Sequence, residues 1–315
     1  MRAVIFLFLI FGAVFGGEKP RIITLDWSVA EILEFLEVRP IAMAEKQSFM
    51  LWGGGLGNGA NTLDLGLRNQ PSLEMIIALK PDFVLLPSFF AGHEKTISKY
   101  AKTHIIDVYK DGNLEDNLNE AVLEVAKILD CEERAKILLA KNNEFFEKKK
   151  KELENFTTPV LVVQFIDAAH IRIYGANSLY GVVLSKLGVQ NLAPSNLSYN
   201  LWGIASAHVS ALYEVGQGAK LVIIEPNRVD INSQIASNGI YKNLQILQNR
   251  AQIEPVWSAG AWLSMQKFAN LLSEILKNEA NLANFKISQN LEISPNLANL
   301  SNSPNSKISQ KSANE

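Results

Sequence analysis

The sequence predicts an α/β fold in two halves, and three observations carry that expectation. Short apolar runs alternate with helical patterns over residues 21–108. A nearly unbroken helical pattern covers 114–156, and a second alternation follows over 160–276. Strands alternating with helices argue for parallel sheets buried on both faces.

In the first half, Ile22-Ile23-Thr24-Leu25 reads as a strand and Asp26-Trp27-Ser28 as a loop. Val29, Ile32, Leu33 and Leu36 then recur at helical spacing. Val38 to Ala44 reads as the second strand, and Lys46 to Leu67 as loop-rich. Arg68 lies in a loop, and Pro71 and Glu74 suit the first turn of a short helix. Lys80-Pro81-Asp82 stops that helix, Phe83 to Leu86 is an apolar strand, and Ile105 to Val108 reads as a fourth. Between the halves, Val122, Val125, Ala126, Leu129, Ile137, Leu138, Phe145 and Leu153 are spaced for one buried helix face. Lys148 to Lys151 read as its solvated side, and Thr157-Thr158-Pro159 ends it.

The second half has strands at Val160–Val163, Ile171–Tyr174 and Leu221–Ile224, and helices at Leu179–Leu187, Tyr241–Asn249 and Leu263–Leu276. From Asn278 the composition turns to Asn and Ser, with Asn281-Leu282-Ala283-Asn284 repeated at Asn296 to Asn299, and reads as a disordered tail. Residues 1–17 read as a secretory signal peptide, with Arg2 as the charged end and Ala3 to Phe15 as the apolar core. The expected divisions are 18–115 for the first lobe, 116–158 for the helical segment, 159–277 for the second lobe and 278–315 for the tail.

Lysine plus arginine total 30 against 32 acids, so no basic excess points to nucleic acid. Cys131 is the only cysteine, which excludes an intrachain disulfide, and it reads as structural. Gly53 to Gly59 does not join a strand to a helix and lacks the Lys-Ser/Thr ending of a phosphate loop. The four histidines show no metal-ligand spacing.

Aromatic residues carry more information. Trp52, Trp202, Trp257 and Trp262 fall in segments read as loops or loop–helix junctions, where a tryptophan suits either a pocket wall or satellite core packing. Arg68 offers a planar, permanently charged fork to an oxygen-rich ligand.

The run Leu65 to Leu86 resembles the periplasmic substrate-binding proteins of ABC importers for iron-siderophore complexes, haem and cobalamin. So do Ser48–Trp52, Phe165–His170, Tyr174–Leu179, Tyr199–Gly203 and Pro255–Trp257. The resemblance is nearest the ferric-hydroxamate type and covers Arg21 to about Lys277. It implies two Rossmann-like lobes joined by one long helix, with the ligand in a shallow cleft between them. Arg68 matches the position whose guanidinium bonds the iron-coordinating oxygens. Trp52, Tyr199, Trp202 and Trp257 match cleft-lining segments, and Phe90 stands where the family has a tyrosine. Glu74, and less directly Glu214 near the aligned Leu212, match acids that dock on the permease. The implied protein is a periplasmic monomer without cofactor that hands an iron(III)-siderophore complex to an ABC permease with its ATPase.

Arg68 is the only cation that can be assigned to the cleft from sequence, and a neutral hydroxamate chelate needs fewer cations than a tris-catecholate. Haem, cobalamin and ferric citrate are the alternatives, haem if Tyr180 or Tyr199 is free to ligate iron. From other classes, an exported enzyme would draw on Asp167, His170 or His208, and a sensor subunit would hand its loaded state to a membrane receptor.

Overall fold

The computed structural model describes residues 20–52, 61–215, 218–226 and 229–277. The leader at 1–17, the glycine run at 53–59 and the tail from 278 lie outside them. Lobe 1 is built on strands β1 (Ile22–Thr24), β2 (Ala42–Met43) and β3 (Leu63–Asp64). A small hairpin, β4 (Gly66–Leu67) with β5 (Gln70–Pro71), follows, then β6 (Phe83–Leu86) and β7 (Lys102–Ile105). The main sheet runs β3-β2-β1-β6-β7, all parallel. Its helices are α1 (Trp27–Phe35), α2 (Lys46–Leu51), α3 (Leu73–Leu79) and α4 (Glu94–Ile97).

Several boundaries differ from the sequence reading for physical reasons. Pro71 is not in α3. It pairs with Gly66 in the hairpin, and Ser72 is the cap, its hydroxyl accepting from Met75 N at 3.3 Å. The fourth strand ends at Ile105. Ile106 and Val108 are buried beyond it, so their apolar signal reported burial in a loop. The loop-rich stretch from Lys46 to Leu67 contains α2 and two short strands, too brief for periodicity to reveal.

The central helical pattern is two helices, α5 (Leu114–Ile128) and α6 (Glu132–Glu152). The break falls at Leu129–Cys131, where Asp130 takes a left-handed backbone, φ 52°. Helix α6 is about 30 Å long. It starts beside lobe 1, where Arg134 donates to Leu36 O, and leads into lobe 2.

Lobe 2 holds β8 (Val160–Phe165), β9 (His170–Tyr174), β10 (Ile204–His208), β11 (Lys220–Ile224) and β12 (Arg250–Ile253), in the order β10-β9-β8-β11-β12. Its helices are α7 (Leu179–Lys186), α8 (Ile231–Ser237), α9 (Gly239–Asn243) and α10 (262–277). The expected helix over 241–249 is α9 followed by a 3₁₀ turn. The sheet is mixed: β9 runs antiparallel to both neighbours, while β11 and β12 run parallel to β8.

Each lobe has an outer core of its own. The largest core belongs to both. It runs from Ile32 and Leu33 of α1 through Leu118 and Val122 of α5 and Phe146 of α6 to Val162, Tyr180 and Phe268 of lobe 2.

Candidate ligand-binding cleft

The lobe 1 wall assembles at the carboxyl ends of its parallel strands, where open α/β sheets place their crevice. Asp26 follows β1 and caps α1 by accepting from Ser28 N and Val29 N, which fixes Trp27 in the first turn. Trp27 is buried and its indole N–H donates to Ala44 O at 3.1 Å. Glu45 follows β2 in a left-handed conformation, φ 50°, costly for a residue with a Cβ. Its carboxylate accepts from Arg68 Nε at 3.0 Å and from Arg68 backbone N at 3.2 Å.

Arg68 occupies the two-residue turn between β4 and β5. Its guanidinium carbon lies 4.1 Å from the centre of the Trp27 ring and 5.6 Å from that of Trp257. Trp257 meets Trp27 edge-on at 4.7 Å and Trp52 at 5.4 Å. The fork is therefore held flat by aromatic faces and by one carboxylate at Nε. Among the described residues its terminal nitrogens make no hydrogen bond.

The lobe 2 wall is a sheet face. Residues Gln164 and Arg172 are register partners on β8 and β9, and Ser206 on β10 pairs with Arg172, so the three form one row across the strands. Gln164 is buried and its Oε1 accepts from Arg172 Nη1 at 2.8 Å and from the Tyr174 hydroxyl at 3.3 Å. Burial pushes the Tyr174 phenol up to about 12. Tyr174 is itself buried, and Ser258 adjoins Trp257 of the Arg68 box.

Segment 257–264 is fastened to lobe 1. Glu31 on α1 is buried, and its Oε2 accepts from Ala261 N at 2.6 Å and Ser264 N at 3.0 Å, while its Oε1 accepts from the Ser264 hydroxyl. A carboxylate of lobe 1 thus caps a helix of lobe 2. Burial raises the Glu31 pKa above the usual carboxylate value, against the pull of these hydrogen bonds. Gly260 is required there: a Cβ would sit 2.3 Å from Ser264 Oγ and 2.8 Å from Glu31 Oε1. The Tyr109 hydroxyl donates to Gly260 O at 2.8 Å.

Of the residues singled out in the sequence, Arg68, Trp52 and Trp257 come together. Trp202 is apart from them, its ring 6.3 Å from that of Tyr109. Phe90 does not face the cleft openly. It packs in the lobe 1 core with Leu86 and Ile97, and Phe89 is the ring left 76% exposed. Tyr199 donates to Pro194 O at 2.7 Å and lies over Gly175. Tyr180 is buried and donates to Val256 O at 2.6 Å. Neither phenol is free in the way the haem alternative required. Trp262 is core, packed on Phe146.

Glu74 is exposed on α3 and Glu214 is exposed on lobe 2, whereas Leu212 is buried. Asp167 and His170 pair at 3.0 Å on an exposed turn, and Asp167 also caps Ala169 N and His170 N. His208 accepts from Ser210 N through Nδ1 as the cap of a 3₁₀ turn. These side chains also cap their local turns, and the His170 and His208 rings stand 6.0 Å apart on the exposed edge of the sheet.

Sequence reasoning missed Trp27, Glu31, Glu45 and Arg172. The Asp-x-Ser cap marked Trp27 as a strand-end residue, and the Ile-Arg-Ile alternation of β9 marked Arg172 as facing away from the Ile171 and Ile173 core. Nothing marked Glu45 or Glu31.

A family profile described as periplasmic binding protein matches residues 22–253. The iron(3+)-hydroxamate-binding protein of Escherichia coli K12 is 24% identical over 266 residues, 84% of this chain and 89% of that protein. The Fe(3+)-citrate-binding protein of Bacillus subtilis 168 is 22% identical over 239 residues, 74% of this chain and 72% of that protein. A siderophore-binding protein of Vibrio cholerae, solved with Fe3+–Desferal bound, superposes with a TM-score of 0.74 at 22% identity, covering 82% of this chain and 98% of that one.

Proposed function

Because this chain belongs to the periplasmic binding protein family, we propose that it captures a ferric siderophore between its lobes, hydroxamate chelates being the leading class, and delivers it to an ABC permease. Its role is binding, as in the family, and not turnover. The observation that carries the reading is the Arg68 fork, held by Glu45 and framed by Trp27, Trp52 and Trp257. An arginine so placed offers two terminal nitrogens to the oxygen face of a chelate, and the indoles bury its apolar edge. The curated relatives named for ferric hydroxamate and ferric citrate support the same class.

The protein acts in the periplasm as a monomer, exported through its leader, with Glu74 and Glu214 meeting the permease that its ATPase drives. Capture is rigid in this reading, because one core runs through both lobes.

Tryptophan emission tests it. Saturable quenching by ferric ferrichrome, absent with the iron-free compound and weakened by Arg68→Ala, is the expected result. No response to any ferric chelate would overturn the reading.

A further inference from the structure

We infer that His170 and His208 form a divalent transition-metal site on lobe 2, taking a single Cu2+, Zn2+ or Ni2+ ion between their Nε2 atoms. The inference is independent of the ferric-siderophore reading.

Spacing along the chain separates the histidines, but strand register does not. His170 opens β9 and His208 closes β10, and the two are direct partners across the antiparallel ribbon. Directly opposed residues carry their side chains on one face, with Cβ atoms about 4.5–5.5 Å apart. The imidazole centres lie 6.0 Å apart with the rings at 87°. With metal–nitrogen bonds of about 2.0–2.1 Å, two rings sharing one ion have centres roughly 5–6.5 Å apart. Both residues are exposed, so the rings can adjust their tilt without moving the backbone, and water can complete the coordination.

The surroundings orient both rings in the manner of metal-binding imidazoles, whose second nitrogen is held by a hydrogen bond. His170 Nδ1 lies 3.0 Å from each Asp167 carboxylate oxygen, so its N–H donates there and Nε2 keeps its lone pair. His208 Nδ1 faces the Ser210 N–H at 3.2 Å and the Ser210 hydroxyl at 2.8 Å. With the proton on Nδ1, that ring donates to the hydroxyl and frees its Nε2. Among the described residues no hydrogen bond occupies Nε2 of either ring. The backbone beneath is fixed as well: Val209 N donates to Ala169 O at 2.7 Å, and the Tyr241 hydroxyl donates to Ala168 O at 3.1 Å.

Polar rings on an edge strand also discourage pairing with another chain, but that role needs neither facing rings nor a held Nδ1. Two imidazoles suit Cu2+, Zn2+ and Ni2+, with Cu2+ bound tightest. Mg2+ and Ca2+ take oxygen ligands and should be refused.

The test titrates the untagged, chelator-treated full chain with Cu2+, Zn2+ and Mg2+ by calorimetry, and records the electron paramagnetic resonance spectrum of the Cu2+ form. One equivalent of Cu2+ bound with two-nitrogen hyperfine structure, Zn2+ bound more weakly and Mg2+ not at all are the expected results. His170→Ala and His208→Ala should each abolish the two-nitrogen signature, while His104→Ala leaves it unchanged. Asp167→Asn should weaken binding about 10- to 100-fold through the His170 ring alone. Absence of a one-equivalent site, or one that persists in the His170→Ala, His208→Ala double variant, would overturn the inference. Thermal melts of the variants confirm that the folded fraction is unchanged. Because the probes are bare divalent ions, either result leaves the ferric-siderophore reading untouched.

Discussion

The two walls of the cleft reach similar ends by different constructions. Lobe 1 presents side chains from the ends of parallel strands, and its geometry depends on a strained Glu45 and on stacked indoles. Lobe 2 presents a row across an antiparallel ribbon, where strand register alone sets the spacing of Gln164, Arg172 and Ser206. Loop-end walls allow a closed, internally neutralised grip such as Arg68–Glu45. A sheet face leaves its charges open. The first wall is therefore built for shape and the second for charge.

The strongest way to break this arrangement is to detach the walls from each other. Glu31→Ala strips partners from two backbone donors and a hydroxyl at the start of α10. A stability loss of about 3 kcal/mol or more is expected in urea unfolding. Glu31→Gln resembles the protonated acid and is expected to keep the fold.

The pH dependence has a definite sign. A carboxyl whose folded pKa is raised contributes its full stability below its ordinary pKa and loses it as pH rises through the raised value. The unaltered protein should thus lose stability between acid and neutral pH relative to Glu31→Gln. Identical pH profiles for the two proteins would contradict the assignment.

On the lobe 1 wall, Arg68→Ala removes the fork and leaves Glu45 facing the ligand. An affinity loss of about 10- to 100-fold for a ferric chelate is expected by fluorescence titration. Trp257→Leu keeps an apolar contact but removes the ring that both walls share, and about a tenfold loss is expected. If Trp257→Leu proved harmless while Arg68→Ala did not, the indoles would be scaffolding only.

The smallest expected effect sharpens the contrast best. Glu45→Gly relieves the left-handed backbone and gives up an ion pair that is only partly exposed, so its net effect on stability should stay within about 1 kcal/mol. Chelate binding should still weaken, because Arg68 loses its orienting carboxylate. A large loss of stability would make the pair structural instead.

Legibility followed element length and burial. Strands β1, β6, β8 and β11 were readable because consecutive apolar residues are buried on both faces. Strands β10 and β12 were not, since Ile204-Ala205-Ser206-Ala207-His208 and Arg250-Ala251-Gln252-Ile253 are sheet edges with mixed polarity. Arg68 and Trp257 stood out as chemistry-bearing residues in loops. Phe90 and Phe89 are adjacent rings, and a one-residue choice of which faces solvent lies beyond sequence spacing inside a 3₁₀ turn. Arg172 carried a readable signal in its alternation, but sequence does not reveal that the outward face of β9 borders a cleft. Glu31 had none: a buried acid is explained only by donors 230 and 233 positions away.

That separation bears on how the protein is made. At about 5–20 residues per second of synthesis, the partners of Glu31 emerge roughly 10 to 50 s after it does. Until then the apolar face of α1 can pack on α5, but its carboxylate lacks the donors that hold it in the finished protein. The two halves consequently mature as one unit, and a chain interrupted anywhere before α10 leaves its earliest helix unfinished.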